Sequence, residues 1–517
     1  VETTLTMGPV RSQLWGPPDI ALAVRELLTV DHPGAKHTPA FKMGRWDGRV
    51  RFSSVPKTLQ QGIWTLTFPS GLTKRVSDLL LESGLHFSLE LNQPSIPAFS
   101  GNPADIANCL QGVELRDYQV ETVIRALATG RLAIQCPTGS GKTEIGAAII
   151  KMARVMPTLW VVHRKELLHQ TYERLAARLG SDGLQWDKPG YEDGIGRLGA
   201  GIAEPGFVTV AMIQTLAKIP STDPFWKEWG MLIVDEVHHL SSETWYEMVN
   251  QCKQAYYRFG LSGTIVTGHP VRDLKLEGAT GPLYVAAKTM DLAEKGYLAK
   301  PLVYMLDIGT RHYPSYAEVR QEVCPDWRDN PRQLSTLGGK LFATAYKNGV
   351  THNDKRNATI AGWAAAHAKK GDKVLVLCTR INHGKKILMG VLNTDVRGVP
   401  VWWLQGKEDD NTRQHVLKLF KSQEGGAILI ASTIFDEGVD IPQIDALILA
   451  GGGESYIKNI QRVGRALRPK MHKDHVVIYD FLDGRDPKDK KDYLAKHTKA
   501  RIEDYKGQEF QVKRMEV

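Results

Sequence analysis

The stretch Leu132–Thr143 reads LAIQCPTGSGKT. An apolar run of strand length ends at Cys136, a loop of small residues follows, and a Lys-Thr pair opens the helical pattern EIGAAIIKMA. Strand, glycine-rich loop and helix are what a phosphate loop requires, because backbone N–H groups of the loop and of the helix start converge on an anion. Pro137, Thr138, Gly139, Ser140 and Gly141 supply the wrap. Lys142 brings a point charge for the β- and γ-phosphates, and the Thr143 hydroxyl is placed to ligate Mg²⁺. Cys136 stands where the motif commonly begins on another small residue. The cofactors implied are ATP and Mg²⁺.

Outward from this loop the same alternation repeats. LWVV (159–162), FVTVAM (207–212) and MLIVDE (231–236) read as further buried strands of one block, and KVLVLC (373–378), AILIAS (427–432), ALILA (446–450) and VVIYDF (476–481) as strands of a second. Continuous apolar runs between amphipathic helices predict parallel sheets covered on both faces. Lys165–Leu179 is such a helix, with Leu168, Tyr172, Leu175 and Leu179 on one stripe. The expected organisation is a front domain (1–112), a first α/β domain (113–300), a connector or insertion (301–350), a second α/β domain (351–484) and a charged tail (485–517).

Two further pieces carry chemistry. Asp235 and Glu236 stand at the C-terminal end of the strand MLIV, the end at which α/β sheets bind ligands. Asp235 is expected to hold Mg²⁺, Glu236 to polarise the attacking water, and His238 to couple the nucleotide site to Ser262, Gly263 and Thr264. In QRVGRALR (461–468), Arg465 and Arg468 share a helix face, a pattern for arginine fingers reaching a γ-phosphate from the second domain; Gln461 opens the motif. A solvated basic helix is the alternative for these arginines taken alone.

Composition narrows the partner. The 517 residues carry 66 Lys/Arg against 57 Asp/Glu, a net of +9, which favours an anionic partner such as nucleic acid. The five cysteines are dispersed without metal spacing, and no apolar run approaches the ~18 residues that span a membrane. VETTLTMGPV lacks the pattern of a secretory signal. The expected location is cytoplasmic (the bacterial host cytoplasm if phage-encoded), without a membrane partner and with a monomer favoured.

In this order the motifs resemble those of superfamily 2 helicases and translocases over about residues 113–482. The resemblance implies two tandem RecA-like parallel-sheet domains preceded by a small α+β DNA-binding domain. LRDYQ (115–119) is similar to the adenine-side motif, with Arg116 and Gln119 as base contacts. His163 and Arg164 correspond to motif Ia, Gln214 and Thr215 to Ic, Ser262-Gly263-Thr264 to III, Thr379 and Arg380 to IV, and Ser432, Thr433 and 437–442 to V. By the same resemblance the Ia, Ic, IV and V residues named contact nucleic acid, while Gly438 and Asp440 approach the nucleotide.

The front domain holds ten Lys/Arg and nine Asp/Glu, yet residues 36–57 hold six Lys/Arg and one acid. Its positive charge is gathered in AFKMGRWDGRVRF (40–52), where Asp-Gly is a hairpin signal. Lys42, Arg45, Arg49 and Arg51 suit a duplex backbone, and Trp46 either stacks on an exposed base pair or anchors the hairpin. With FPSGLTKRVSDLLLESG (68–84), DKRN (354–357) and INHGKKI (381–387), this stretch resembles phage recombination helicases of the UvsW family. That resemblance implies ATP-dependent remodelling of branched or duplex DNA, including fork regression, junction branch migration and loop unwinding, with RNA–DNA hybrid as a further substrate. The alternatives are a restriction- or repair-type duplex translocase and a DExH RNA helicase. The tail, with ten Lys/Arg and seven acids, reads as a solvated helix or an extra DNA contact.

Overall fold

The structure, a computed structural model, describes residues 3–54, 63–91, 102–153, 157–180, 192–265, 268–326, 336–406, 408–432, 444–453, 475–489 and 491–517. Contacts divide it into two units, 1–137 with 141–287, and 288–517 with the loop tip 138–140.

The first unit is built on an eight-stranded sheet. Its spatial order is Ile202–Glu204, Glu192–Gly199, Gly206–Met212, Thr158–Val162, Met231–Asp235, Tyr257–Ser262, Arg131–Gln135 and Leu283–Val285. Every neighbouring pair is parallel except the first, which is a tight antiparallel ribbon. The central strands Thr158–Val162, Met231–Asp235 and Tyr257–Ser262 are buried along their whole length, which is why the first two read as apolar runs. Tyr257–Ser262 escapes that reading because Arg258 interrupts it; the guanidinium is buried and donates to the carbonyls of Ala255, Val249 and Cys252. The helix Lys165–Leu179 forms as expected, but its buried stripe is Leu168, Thr171, Leu175 and Leu179. Tyr172 is half-buried, with the Arg197 guanidinium 4.2 Å above its ring.

The front domain is a four-stranded sheet, ordered Trp64–Pro69, Arg11–Gly16, Thr3–Met7 and Phe87–Leu91, with the helices Pro18–Leu27 and Thr73–Glu82. Its core of Leu5, Leu14, Leu66, Phe68 and Val76 also takes in Leu274, from the helix Pro270–Thr280 that follows motif III. Three contacts fix this seat. Arg75 pairs with Glu277 at 2.6 Å, and Arg131 donates to the carbonyls of Gly8 and Pro9. At Gly71 the chains approach so closely that a Cβ would lie 1.9 Å from the Glu277 carbonyl oxygen, so only glycine fits.

The basic stretch 40–52 is not a two-stranded hairpin. Thr38 caps a short helix, Pro39–Lys42, by accepting from Phe41 N at 3.3 Å. The chain then turns at Gly48 (φ +80°) into Arg49–Arg51, which pairs antiparallel with Thr29–Asp31. A proline at the first helical position and a threonine before it favour helix over strand here.

The second unit carries a seven-stranded sheet, all parallel, in the order Val401–Leu404, Ala427–Ala431, Lys373–Leu377, Ala446–Leu449, His475–Phe481, Lys300–Asp307 and Gln511–Glu516. Two segments differ from the sequence reading. Lys300–Asp307 falls where the connector was expected to begin, yet it is an interior strand of this sheet. The charged tail becomes the helix Tyr493–Gly507, which buries Leu494, Ala495, Thr498, Arg501 and Tyr505, and then the edge strand Gln511–Glu516. Arg501 apart, the charges of this helix and edge strand, such as Lys496, Lys499, Glu503, Lys506, Lys513 and Arg514, are mostly exposed, which is why composition alone reads as a solvated end. Among the described residues no helix is long and apolar enough to cross a membrane.

Candidate active site

Three sheet strands of the first unit deliver the predicted chemistry to one end. Arg131–Gln135 leads into the phosphate loop, Met231–Asp235 into the carboxylates and Tyr257–Ser262 into motif III. Lys142 and Thr143 open the helix Lys142–Ala153. Gly139 and Gly141 have φ of +83° and +84°, the left-handed region that exposes successive N–H groups. At Gly141 a Cβ would also stand 2.4 Å from Gln119 Nε2, which puts the predicted adenine-side glutamine against the loop. Gln119 is held in turn by accepting from Arg116 N at 2.8 Å. Lys142 Nζ donates to the Cys136 carbonyl at 3.4 Å.

Asp235 and Glu236 are adjacent, and both side chains are largely buried. Burial, and then the neighbouring Glu236 charge, push the Asp235 carboxyl up to about 6, against a pull from Lys142. Glu236 moves the other way. Burial opposes its charge, but the His238 hydrogen bond and the Lys142 charge hold it ionised well below the usual carboxylate range. Glu236 also adopts φ +48°, ψ +53°. A left-handed non-glycine residue costs on the order of 1–3 kcal/mol and persists where surrounding contacts over-determine it.

Those contacts come from motif III. Ser262 Oγ lies 3.0 Å from Glu236 Oε2, from His238 Nδ1 and from the Thr264 carbonyl, and it accepts from Thr264 N at 3.3 Å. One hydroxyl proton faces two oxygen acceptors and an imidazole, so a change at Ser262 is felt by both Glu236 and His238. Gly263 lies between these two polar residues.

The residues assigned to nucleic-acid contact fall into three groups. Gln214 Nε2 donates to the His163 carbonyl at 2.8 Å, joining Ic to Ia; Thr215 follows Gln214 in the short helix Ile213–Leu216, and Arg164 precedes the helix Lys165–Leu179. In the second unit, Thr379 and Ser432 leave the ends of the paired strands Lys373–Leu377 and Ala427–Ala431. Thr379 Oγ1 and the Gly451 carbonyl share the Tyr346 hydroxyl, and Arg380 is exposed 5.9 Å above the Tyr346 ring.

The third group is the front helix–turn–strand. There Lys42 and Arg45 are exposed, whereas Arg49 pairs with Glu26 and Asp31, and Arg51 with Asp47. Trp46 Nε1 donates to the Arg49 carbonyl at 2.9 Å and its ring packs edge-on to His32, which favours anchoring over base stacking. Thr433, Gly438, Asp440, Gln461, Arg465 and Arg468 lie outside the described residues.

Sequence reading missed a buried ionic group in the second unit. Arg356 pairs with Asp483 at 2.9 Å, and Arg501 with Asp480 at 2.8 Å and Asp483 at 3.1 Å. Arg356 also donates to the Ala450 carbonyl (2.6 Å) and Arg501 to the Gly453 carbonyl (3.2 Å). Both arginines therefore grip the last described backbone before the QRVGRALR sequence (461–468). The DKRN stretch marked Arg356, but nothing local to Arg501 announced its burial.

The chain is a superfamily 2 helicase, an ATP-driven enzyme class. Residues 112–267 match the family described as type III restriction enzyme, res subunit, and residues 355–470 match the helicase conserved C-terminal domain. Among similar proteins is the ATP-dependent DNA helicase uvsW of Enterobacteria phage T4, 23% identical over 94% of this chain and 93% of that protein. The DNA 3'-5' translocase XPB2 of Sulfurisphaera tokodaii is 29% identical over 69% of this chain and 79% of its own length. Among solved structures, the ATP-dependent type ISP restriction-modification enzyme LlaBIII bound to DNA has a TM-score of 0.55 and 14% identity, covering 79% of this chain and 32% of that one. The two parallel-sheet units accord with tandem RecA-like domains.

Proposed function

We propose that the protein is an ATP-dependent DNA helicase or translocase that remodels branched DNA in phage-type replication, recombination and repair. The observation carrying this reading is the front domain's seat on the helix Pro270–Thr280, directly after motif III, through Leu274 and the Arg75–Glu277 pair. A DNA-holding domain fixed to the element that follows the coupling motif feels the ATP cycle. The similarity to the phage T4 DNA helicase extends over 94% of the chain, so it takes in this domain as well as the engine.

Within the engine, the phosphate-loop backbone and Lys142 bind the triphosphate, with Arg116 and Gln119 on the adenine side. Glu236 orients and polarises the attacking water, and Ser262 and His238 hold it in place. Thr143 and Asp235 form an oxygen donor set that fits Mg²⁺. The fit is supported by the Asp235 carboxyl, buried and raised to about 6 beside a second carboxylate, an arrangement that a bound cation relieves. Mg²⁺, when bound, neutralises phosphate charge as it develops. The motif VI residues Gln461, Arg465 and Arg468 complete this set, and Gly438 and Asp440 of motif V approach the nucleotide.

His163, Arg164, Gln214, Thr215, Thr379, Arg380, Ser432 and Thr433 track the DNA backbone. Residues 1–112 grip duplex or junction DNA through Lys42 and Arg45, and RNA–DNA hybrid is a second substrate. The similarity to the DNA 3'-5' translocase of Sulfurisphaera tokodaii favours one alternative, movement along duplex without selection of branches.

The test is the ATPase rate at fixed salt with four-way junction, fork, linear duplex, single-stranded DNA and RNA. Strongest stimulation by junction or fork is expected. Equal response to every DNA overturns branch selectivity, and stimulation by RNA alone overturns the DNA reading. Lys142→Ala is expected to lower turnover on the order of 10²–10³-fold while DNA binding persists.

A further inference from the structure

After Asp235-Glu236 the sequence continues as Val237-His238-His239, and the second histidine has no role in the reading above. The strands Thr158–Val162 and Met231–Asp235 are parallel neighbours, with Val161 opposite Val234. Their exit loops therefore lie side by side, and His163 of one meets His239 of the other. The His163 and His239 ring centroids are 4.6 Å apart. His239 is 4.3 Å from His238 and lies stacked on Trp245 at 5.2 Å. His239 thus touches three rings at once. Among the described residues no group of three or more His, Cys, Asp or Glu side chains is arranged to hold a metal ion, so this cluster is a stack and not a ligand set.

The stack is continuous at both ends. On one side the His163 carbonyl accepts from Gln214 Nε2 at 2.8 Å, joining the two segments assigned to the nucleic-acid strand. On the other, His238 Nδ1 lies 3.0 Å from Ser262 Oγ and 3.4 Å from Glu236. A chain of direct contacts runs from Gln214 through His163, His239 and His238 to the carboxylate that polarises water, within one unit of the fold.

We propose that His239 is a positioning residue that couples nucleic-acid occupancy at His163 and Gln214 to the orientation of Glu236, by transmitting ring displacement through the stack. The proposal rests on the reading of motifs Ia and Ic as nucleic-acid contacts. A shift of the His163 backbone on a bound strand moves a ring packed on His239. His239 is backed by the buried Trp245, so the displacement passes to His238 rather than into empty space.

The experiment compares wild type with His239→Ala, His239→Asn and His239→Phe, measuring basal ATPase, ATPase saturated with a single-stranded oligodeoxynucleotide, and the affinity for that strand. Basal turnover and affinity are expected to stay at wild-type values in all three. The stimulation factor is expected to fall by roughly 2- to 30-fold in the Ala and Asn variants, the span of mutational effects on coupling networks. Phe, which keeps a stacking ring, restores most of it.

Equal stimulation in Asn and wild type overturns the proposal. So does a parallel drop of basal and stimulated rates in Asn with Phe at wild type, which is what packing alone produces. If His239→Ala does not fold, the Asn and Phe pair decides alone. A wild-type protein that no nucleic acid stimulates overturns the function reading, and the coupling proposal with it.

Discussion

Each unit buries acidic side chains at the ends of its sheet, and the two groups are built to opposite rules. In the second unit Asp480 and Asp483 face two arginines, and the remaining oxygen capacity is taken by Tyr505, Tyr313 and the Phe481 N–H. Two negative charges meet two positive ones, and burial raises the proton affinity of Tyr313 and Tyr505, keeping both as hydroxyl donors. In the first unit Asp235 and Glu236 face each other across one peptide, with Lys142 acting on both. The first arrangement is complete without a ligand. The second has one lysine for two carboxylates, and it carries strained backbone as well. Buried charge that the protein itself balances is architecture; buried carboxylate charge left unbalanced is the arrangement proposed above to take a cation.

The same chemical change therefore has opposite consequences in the two places. Asp480→Asn removes one carboxylate from the Arg501 guanidinium, which is buried and held strongly protonated against its burial by Asp480 and Asp483. Breaking a buried pair by removing one partner costs about 3–5 kcal/mol. Urea unfolding of the variant is expected to show that loss in the transition of the second unit. A loss below about 1 kcal/mol, the scale of an exposed ion pair, would mean that the network is not balanced in the way described.

Asp235→Asn is expected to stabilise the metal- and nucleotide-free protein at pH 7, while removing a residue proposed for Mg²⁺. Burial and the Glu236 charge push the folded carboxyl up to about 6 from an ordinary 3.8, so its charge opposes folding at pH 7. The sign follows from the raised value. The native state holds this proton more tightly than the unfolded chain, so the contribution is present below the unfolded value and is lost as pH rises through about 6. Glu236, held ionised well below the usual range, does not titrate in that window. The stability advantage of Asp235→Asn over wild type should therefore shrink from pH 7 to pH 5 without Mg²⁺; taking the difference removes the buried His383 imidazole, whose lowered value acts in the opposite sense over the same window. A lower melting temperature for the variant at pH 7 would break the contrast between the two clusters.

The same distinction sets what the sequence made legible. The phosphate loop, the DE pair and the eight nominated strands were readable because each is a local pattern, and each nominated strand lies within a residue of its observed bounds. Tyr257–Ser262 and Lys300–Asp307 were not, because a buried arginine interrupts one and the other begins with Lys-Pro inside a segment that looks irregular. Arg501 lies in a stretch rich in Lys, Asp and Glu, and the carboxylates that balance it when buried, Asp480 and Asp483, are some twenty residues away in sequence. Charge that will be balanced by distant chain looks, in one dimension, like charge meant for solvent. The basic front stretch misled in the reverse direction. Its count of arginines was right, but whether they are already paired is a property of the fold.

That last point gives the smallest effect and the finest test. Arg49 and Arg51 are engaged by Glu26, Asp31 and Asp47, and the Arg51 hydrogen bond draws the Asp47 carboxyl down to about 2. For either arginine to hold a phosphate it must give up contacts that fix the turn and the strand after it. Lys42 and Arg45 are exposed and have no ion-pair partner among the described residues, so they can take a phosphate without that loss. Each backbone contact releases counterions and contributes about 0.9 to the slope of log affinity against log salt on B-form DNA. The double variant Lys42→Ala/Arg45→Ala should therefore flatten the salt dependence of fork binding by about 1–2 units. Arg49→Ala/Arg51→Ala should change it by less, because the charge removed was already neutralised within the domain. Equal flattening in both variants would mean that Glu26, Asp31 and Asp47 yield their arginines to DNA, and that pairing in the free protein does not decide which charges are available to a partner.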